Sequence, residues 1–311
     1  MSERKVAIIG AGFVGASIAY ALTIRKLARE IVLIDIHEEK TIGEALDIQH
    51  GIPDMGISSV RAGTYADCKD CDLIIITAGR NRKPGETRLD LIAGNSAILK
   101  NVVDQMKPHY TKGVIMIVSN PVDVLVYQCT KWMGLPNGMV FGTGCILDSS
   151  RFTRLIADYT HLNTEVVKAT IVGEHGDAQI PIWSRASIAG VPLQEYCENV
   201  GLKWDEEIRK EISDKVREMG ATIIKGKGRT HYGIATCVCY LAEAVLNQRL
   251  TIAPVSTMFQ GEYGIEDVCL SVPSIIGVNG VEKRLEERWA EEEFQAFRQA
   301  ADKMKKVLKT L

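Results

Sequence analysis

The sequence of 311 residues lacks several features that would place it in a special class of protein. It has no apolar run near the ~20 residues that a membrane-spanning helix needs, no internal repeat and no low-complexity linker. It also lacks an excess of charge, because 37 Lys and Arg residues against 39 Asp and Glu residues leave a net charge of −2. This balance argues against binding to nucleic acid or to an anionic membrane.

The sequence also lacks a signal-peptide pattern at its N-terminus and a complete zinc or redox motif among its cysteines. The chain opens MSERKVAIIGAG, which begins a strand pattern almost at once and shows no signal-peptide pattern. The one close cysteine pair, Cys68 and Cys71, has no second pair and no nearby His to complete a zinc or redox motif. We therefore expect a soluble, cytoplasmic protein with reduced cysteines and without a metal ion.

What the sequence does contain, in its first half, is an alternation of short apolar runs and helical patterns. This alternation predicts an α/β fold with a doubly wound parallel sheet, covered on both faces and connected by right-handed crossovers. The strand patterns are KVAIIG, EIVLID, SVRAGT, DLIIITAG and GVIMIVSN, and the helical patterns include FVGASIAYALTIRKL and LIAGNSAILKNVVDQMK.

From about residue 144 the pattern changes to long charged helices mixed with strand-like pieces. We predict an α/β domain over residues 1–143 and an α+β domain over residues 144–311, with a ligand-binding cleft between them. The predicted helices are DEEIRKEISDKVREMGATIIKG (205–226) and VEKRLEERWAEEEFQAFRQAADKMKKVL (281–308), and the strand-like pieces include VKATIVG and SVPSIIGV.

A glycine-rich turn between the first strand and the first helix predicts a dinucleotide site. Gly10, Gly12 and Gly15 have GxGxxG spacing, which allows a tight turn, close approach of a pyrophosphate and close helix–sheet packing. Asp35 ends the next strand, 20 residues after Gly15. A carboxylate there binds ribose hydroxyls and repels a 2′-phosphate, so we expect NAD rather than NADP.

A second group of motifs indicates acid–base chemistry. His175 follows an apolar strand pattern in IVGEHGDAQIPIWS, where a side chain faces a cleft, although a buried core histidine is the alternative. Asp148 and Arg151, three residues apart in GTGCILDSSRF, share a helix face and could supply a carboxylate for the ring and a fork for an anion. Spacing alone leaves open whether these segments meet.

One stretch, TAGRNRKPGETRLD over residues 77–90, concentrates positive charge in this near-neutral chain. Arg80, Arg82, Lys83 and Arg88 lie there among Gly and Pro residues, directly after a strand pattern. The cluster is local, so it suits a small anion, and a solvated loop is the plain alternative.

Taken together, the motifs resemble those of the lactate/malate dehydrogenase superfamily along nearly the whole chain. The Gly-rich start, PGETRLDL, SNPVD, LDSSRF, GEHGD and KGxT occur in that order. GEHGD and PGETR are similar to the L-lactate dehydrogenase branch. The resemblance implies a Rossmann dinucleotide-binding domain, a C-terminal substrate domain, NAD as cofactor and a small 2-keto or 2-hydroxy acid as substrate.

The resemblance also implies a role for each site residue. His175 would exchange a proton with the substrate oxygen, Asp148 would hold its ring, and Arg88 would polarise the substrate carbonyl. The implied substrate-binding residues are Arg82, Asn120, Arg151 and Thr230, and the implied cofactor-binding residues are Gly10, Gly12, Phe13, Val14, Gly15, Asp35, Thr77, Ala78, Gly79 and Asn120.

The identity of the acid depends on Arg82, six residues before Arg88. Lactate dehydrogenases resembling this chain usually have Gln there, and malate dehydrogenases have Arg, which pairs with the second carboxylate of oxaloacetate. A guanidinium closed against a methyl group would lose its water without gaining a partner. GETRLDL, GEHGD and Thr230 nevertheless favour L-lactate dehydrogenase over malate dehydrogenase.

Two further expectations follow. Thr153 and Lys168 replace the Arg and His typical of bacterial lactate dehydrogenases activated by fructose 1,6-bisphosphate, so we expect weak or absent activation. The resemblance implies a homotetramer or homodimer.

Two functions from other classes are the alternatives. One is a non-catalytic NAD-binding protein, which should lack some of the catalytic residues. The other is an NAD-dependent phospho-glycosidase, which should carry Cys/His metal ligands.

Overall fold

The computed structural model describes residues 4–54, 59–81 and 85–311, apart from the side chain of Asp54. The strands in these ranges are β1 (Lys5–Ile9), β2 (Glu30–Ile34), β3 (Ser59–Ala62), β4 (Leu73–Ile76), β5 (Val114–Ile117), β6 (Val140–Gly142), β7 (Val167–Lys168), β8 (Ile171–Gly173), β9 (Gln179–Pro181), β10 (Ser187–Ile188), β11 (Val191–Pro192), β12 (Thr251–Gln260), β13 (Glu266–Gly277) and β14 (Gly280–Arg284).

The helices lie between and after these strands. They are α1 (Phe13–Ile24), α2 (Glu38–His50), α3 (Arg88–Met106), α4 (Val122–Met133), α5 (Ile146–Thr160), α6 (Leu193–Val200), α7 (Glu206–Lys227), α8 (Tyr232–Asn247) and α9 (Glu291–Leu308).

The first six strands form a parallel sheet in the order β3-β2-β1-β4-β5-β6. This is the doubly wound order of a Rossmann domain, with helices on both faces. The central strands are fully buried because both faces are covered, which explains their continuous Ile and Val runs. The predicted fold class and the five predicted strands of this half are therefore confirmed.

Several strands of the second half extend this sheet, while β11, β10 and β7 form a separate antiparallel sheet of three strands. Strand β12 pairs with β6 through Ser256 and Gly142, and β13 and β8 continue the sheet beyond it. Helix α8 packs on α1, so Val238 and Leu241 share one apolar core with Ile18. The two halves are thus joined by backbone pairing and by a common core, and a boundary at 143/144 stays a prediction.

The predicted helix over residues 281–308 is wrong in its first ten residues. Val281 lies in β14, which pairs antiparallel with β13, and α9 begins only at Glu291. The reason is a hairpin: the Asn279-Gly280 turn, in which Gly280 has a φ of 84°, returns the chain against β13, and backbone pairing with β13 replaces the helix. The charged residues Glu282 and Lys283 are therefore exposed residues of a strand and not of a helix.

No helix among the described residues is long and apolar enough to cross a membrane. Cys68 and Cys71, which are close in the sequence, are free thiols and are buried. Burial raises the pKa of each thiol to about 12. Such thiols carry little thiolate at neutral pH and therefore pack as apolar side chains.

Candidate active site

The glycine-rich turn after β1 forms the floor of the cofactor half of the site. Gly10 has a φ of 109°, and a Cβ atom there would lie 2.6 Å from the backbone nitrogen of Ala78 and from Thr77 Oγ1. A Cβ atom on Gly15 would clash with the carbonyl oxygen of Gly10. Both glycines are therefore required by packing. Thr77 Oγ1 donates a 2.7 Å hydrogen bond to Gly10 O, and this bond holds the turn close to the end of β4.

Gly12 serves a different purpose. It is the N-cap of α1, and a Cβ atom there would meet nothing within 4 Å. The open space lies at the positive end of the helix, where the free N–H groups of Phe13 and Val14 are available to a phosphate. The turn therefore fits a pyrophosphate, which needs close approach to backbone.

Asp35 fits the ribose role and also supports the turn. One of its carboxylate oxygens accepts a 2.7 Å hydrogen bond from Ala11 N, and the other accepts one from His37 N at 3.1 Å. The carboxylate retains lone pairs for ribose hydroxyls and places a negative charge where a 2′-phosphate would lie. The residues present thus fit NAD.

The loops after β4 and β5 are tied together beside this turn. Buried Asn95, on α3, accepts a hydrogen bond from Arg80 N at 2.9 Å and donates one to Asn120 O at 2.6 Å. Gly79 lies against Asn95, since a Cβ atom on Gly79 would be 3.5 Å from Asn95 Oδ1. Ser119 Oγ donates to Ala78 O at 2.6 Å. Sequence reasoning missed Asn95, which follows PGETRLDL, and Ser119, which begins SNPVD.

The chemical half of the site is centred on His175, which follows β8. Its Nδ1 lies 2.6 Å from Asp148 Oδ2, and Asp148 is buried in α5 with its side chain only 4% exposed. The ring is about a quarter exposed, and its Nε2 makes no hydrogen bond to any described residue. The structure therefore brings the predicted pair together and leaves the other ring nitrogen of a partly exposed histidine without a partner among the described residues, unlike a core histidine whose polar atoms are satisfied.

Arg151 lies one helical turn along α5 from Asp148. Its Nη1 donates to Asp148 Oδ1 at 3.2 Å, and its side chain is 14% exposed. This leaves the second nitrogen of the fork, Nη2, without a hydrogen-bond partner among the described residues. A guanidinium in this position can hold a carboxylate against the histidine.

Asp123, a residue that sequence reasoning did not single out, fixes the backbone under the histidine. Its carboxylate accepts hydrogen bonds from His175 N at 2.9 Å and from Ser256 Oγ at 2.6 Å, and the residue is 2% exposed. Asp123 belongs to the SNPVD motif, so the signal was present, but only the fold shows that α4, β12 and the His175 loop meet there.

Arg88 begins α3 and faces the same loop. Its guanidinium forms an ion pair with Glu174, a mostly buried residue, and a 3.5 Å contact with the exposed Asp177. The Thr87 N-cap and the Asp90 carboxylate form a capping box that fixes this end of the helix. Glu174 was quoted in GEHGD without a role, and it places Arg88 next to His175.

Of the remaining predicted substrate residues, Thr230 and Asn120 lie in the described part of the chain. Thr230 is half-buried in the loop before α8, and it makes no hydrogen bond in the described part of the chain. Asn120 is exposed and its Oδ1 accepts from Val122 N. Arg82 and Lys83 lie outside the described residues. Arg80, a third cation of the loop, pairs with Glu86 at 2.6 Å.

The charges around His175 determine its protonation. Burial alone would lower its pKa, but the hydrogen bond and charge of Asp148, with a contribution from Asp123, raise that pKa above its ordinary value. Burial would raise the pKa of Asp148, but His175 and Arg151 lower it. The pair therefore favours a protonated imidazole beside an ionised carboxylate.

The two halves of the chain match two models of one protein family. Residues 4–142 match its lactate/malate dehydrogenase NAD binding domain, and residues 145–311 match its lactate/malate dehydrogenase alpha/beta C-terminal domain. The chain belongs to the lactate/malate dehydrogenase family. This confirms the resemblance predicted from the motifs and NAD as the cofactor. When bound, NAD supplies or accepts a hydride.

Individual relatives in the family cover the chain almost completely. It is 43% identical over 307 residues to an L-lactate dehydrogenase of Thermoanaerobacterium saccharolyticum, covering 99% of each chain. It is 40% identical over 308 residues to one of Acetivibrio thermocellus, covering 99% of this chain and 97% of that one. The crystal structure of the minor L-lactate dehydrogenase from Enterococcus mundtii superposes with a TM-score of 0.96 at 40% identity, covering 100% and 99% of the two chains.

Proposed function

We propose that the protein is an NAD-dependent L-lactate dehydrogenase that interconverts pyruvate plus NADH and a proton with L-lactate plus NAD. The observation that carries the proposal is the His175–Asp148 pair, 2.6 Å apart, together with Arg151, which also contacts Asp148, and Arg88, which pairs with the adjacent Glu174. A 2-keto acid presents a carboxylate for the fork and a carbonyl oxygen for the histidine.

Each residue contributes one physical step. Arg151 holds the substrate carboxylate by charge-assisted hydrogen bonds, which fixes the orientation of the reacting carbon. His175 donates its Nε2 proton to the carbonyl oxygen in reduction and removes the hydroxyl proton in oxidation. Arg88 stabilises the negative charge that develops on that oxygen, and Asn120 and Thr230 complete the substrate pocket.

The protonation of His175 leads to a pH prediction. We expect kcat/KM for pyruvate reduction to stay high at low pH and to fall as the pH rises through the pKa of His175. That pKa lies above the ordinary value of about 6.5 because of Asp148. Lactate oxidation needs the neutral ring, so its rate should rise over the same interval. Steady-state assays of both directions across the pH range measure this.

Two variants control the pH prediction. Asp148→Asn removes the charge that raises the pKa, so the midpoint of the profile should move to lower pH. Asp123→Asn keeps an acceptor for His175 N and a partner for Ser256, and it should move the midpoint the same way by less. A midpoint that is unchanged in Asp148→Asn would contradict this account of His175.

Arg82 provides the one residue-level reason to consider oxaloacetate as an alternative substrate. We expect the wild-type enzyme to have the higher kcat/KM with pyruvate, and Arg82→Gln to reduce use of oxaloacetate by about 10- to 100-fold. This is the worth of one hydrogen bond between charged groups. The measurement is a pair of steady-state assays with NADH, one with each keto acid.

The neighbouring cation supplies the control, since Lys83→Gln makes the same change of charge in the same loop. It should leave the ratio of the two kcat/KM values near that of the wild type. A large wild-type preference for oxaloacetate, reversed by Arg82→Gln, would show that the enzyme is a malate dehydrogenase instead.

We also propose that the enzyme acts as a homo-oligomer in the cytoplasm, with a dinucleotide-binding domain over 1–143 and a substrate domain over 144–311. The exposed apolar side chains of Tyr20, Ile24 and Tyr240 on α1 and α8 support an association of copies. Thr153 and Lys168 lie on neighbouring elements, because Thr153 Oγ1 donates to Ala169 O, and weak activation by fructose 1,6-bisphosphate stays a prediction.

A further inference from the structure

A group of cations that the mechanism does not use surrounds Phe13, the first residue of α1. The guanidinium carbon of Arg229 lies 3.6 Å from the centroid of the Phe13 ring, and Lys40 Nζ lies 5.4 Å from it. Lys227 Nζ is 3.2 Å from Nε2 of His231, whose ring contacts Phe13. Cations from α2 (Lys40), the end of α7 (Lys227) and the loop before α8 (Arg229) therefore gather near the start of α1.

These cations have no acidic partner in the described part of the chain. Arg229, Lys40 and Lys227 form none of the ion pairs found there. Burial, followed by the charges of Lys227 and Arg229, lowers the pKa of His231. Cations gathered around the Phe13 and His231 rings without a carboxylate raise the local positive potential, and such an arrangement is stabilised when an anion binds among them.

The position of Arg229 is fixed from two sides. Its guanidinium stacks on Phe13, which is 51% exposed, and the adjacent His231 is held to α1 by a 2.9 Å hydrogen bond between its Nδ1 and Ser17 Oγ. Stacking leaves the N–H groups at the edge of the guanidinium plane free to donate. Gly12, one residue before Phe13, borders the open space at the start of the helix.

We propose that Arg229 is an additional cofactor-binding residue. Its free guanidinium N–H groups would donate to the pyrophosphate of NAD, to which the backbone N–H groups at the start of α1 also donate. Lys40 and Lys227 add to the local positive potential. The stack on Phe13 keeps the guanidinium ordered before the cofactor arrives, so binding costs less conformational entropy. The proposal depends on NAD binding and is independent of which 2-hydroxy acid is the substrate.

The test is a fluorescence titration of the full-length protein with NADH, without keto acid, at several salt concentrations. We expect Arg229→Gln to raise the Kd for NADH about three- to tenfold at low salt and to flatten its salt dependence, because one partly exposed charged contact is lost. Arg229→Lys, which keeps the charge without the planar stack, should fall between the two. Lys225→Gln, the same change of charge on the last turn of α7, should match the wild type.

Two further ligands identify the group that Arg229 binds, each measured in competition with NADH. ADP-ribose, which has the pyrophosphate but no nicotinamide, should lose affinity by the same factor as NADH, and adenosine should lose none. Equal Kd values for wild type and Arg229→Gln would overturn the proposal. So would a loss confined to NADH, or one shared by adenosine. An unchanged Tm of the ligand-free variant checks that folding is intact, and a lowered Tm makes Arg229→Lys the deciding variant.

The experiments distinguish a failure of the Arg229 proposal from a failure of the proposed lactate dehydrogenase activity. If Arg229→Gln weakens NADH and ADP-ribose alike while the enzyme does not reduce pyruvate, the cofactor residue stands and the proposed substrate is wrong. If pyruvate is reduced and the Kd values are unchanged, the activity stands and Arg229 has no part in cofactor binding.

Discussion

Replacing His175 by Asn is expected to lower kcat for pyruvate reduction by about 10²- to 10⁴-fold, the usual contribution of a general acid. The amide of Asn can still donate to Asp148 from the position of Nδ1, so the buried carboxylate keeps a partner. What the variant lacks is a dissociable proton facing the substrate. Stopped-flow and steady-state assays with saturating NADH measure the loss.

The control for this variant is His161→Asn. His161 is exposed, ends α5 and has a φ of 56°, a left-handed conformation that Asn tolerates well. We expect wild-type activity from it. The Kd for NADH should be unchanged in His175→Asn, because the glycine-rich turn is distant in sequence and makes no hydrogen bond to His175 in the described residues. Full activity of His175→Asn would exclude the proposed acid–base role.

Replacing Arg151 by Gln is expected to lower kcat/KM for pyruvate by about 10²- to 10⁴-fold. Two charge-assisted hydrogen bonds to a carboxylate are worth about 3–6 kcal/mol together, and each 1.4 kcal/mol is a factor of ten. Arg151→Lys keeps the charge but loses the planar fork, so its kcat/KM should be intermediate. Because the clamp also orients the substrate, kcat should fall as well as KM rise.

Arg154→Gln provides the matched control. Arg154 lies three residues along α5, is mostly exposed and pairs with Asp158. An exposed pair of this kind contributes little, so we expect near wild-type kinetics and stability. If Arg151→Gln altered kcat/KM no more than Arg154→Gln does, the carboxylate of the substrate would have to be bound elsewhere.

The same residues show how far the chemistry could be inferred before the fold was known. His175, Asp148 and Arg151 were assigned to one site from motif order, and the 2.6 Å contact between His175 Nδ1 and Asp148 Oδ2 confirms that they meet. Glu174 in GEHGD and Asp123 in SNPVD stood in quoted motifs without a role, because nothing local distinguishes a carboxylate that binds Arg88 or a backbone N–H from one that faces water.

The prediction of a helix over 281–308 was wrong in its first ten residues for a related reason. A run of charged residues is compatible with a helix or with the outer face of a hairpin, and pairing with β13 decides between them. Arg229 is a second case, since a lone cation after α7 carried no signal until the fold placed it on Phe13.

Sequence patterns alone were enough for the fold class, the parallel strands, the glycine turn and the cofactor, because each depends on local properties: the burial of apolar runs, the left-handed φ of Gly10 and the spacing of Asp35 from Gly15. The tertiary structure decided which charged groups meet. The continuation of the sheet from β6 into β12, the Arg88–Glu174 ion pair, the support of His175 by Asp123 and the stacking of Arg229 all join residues that are distant in the chain. Contacts of that kind depend on how the elements pack, and no local pattern encodes them.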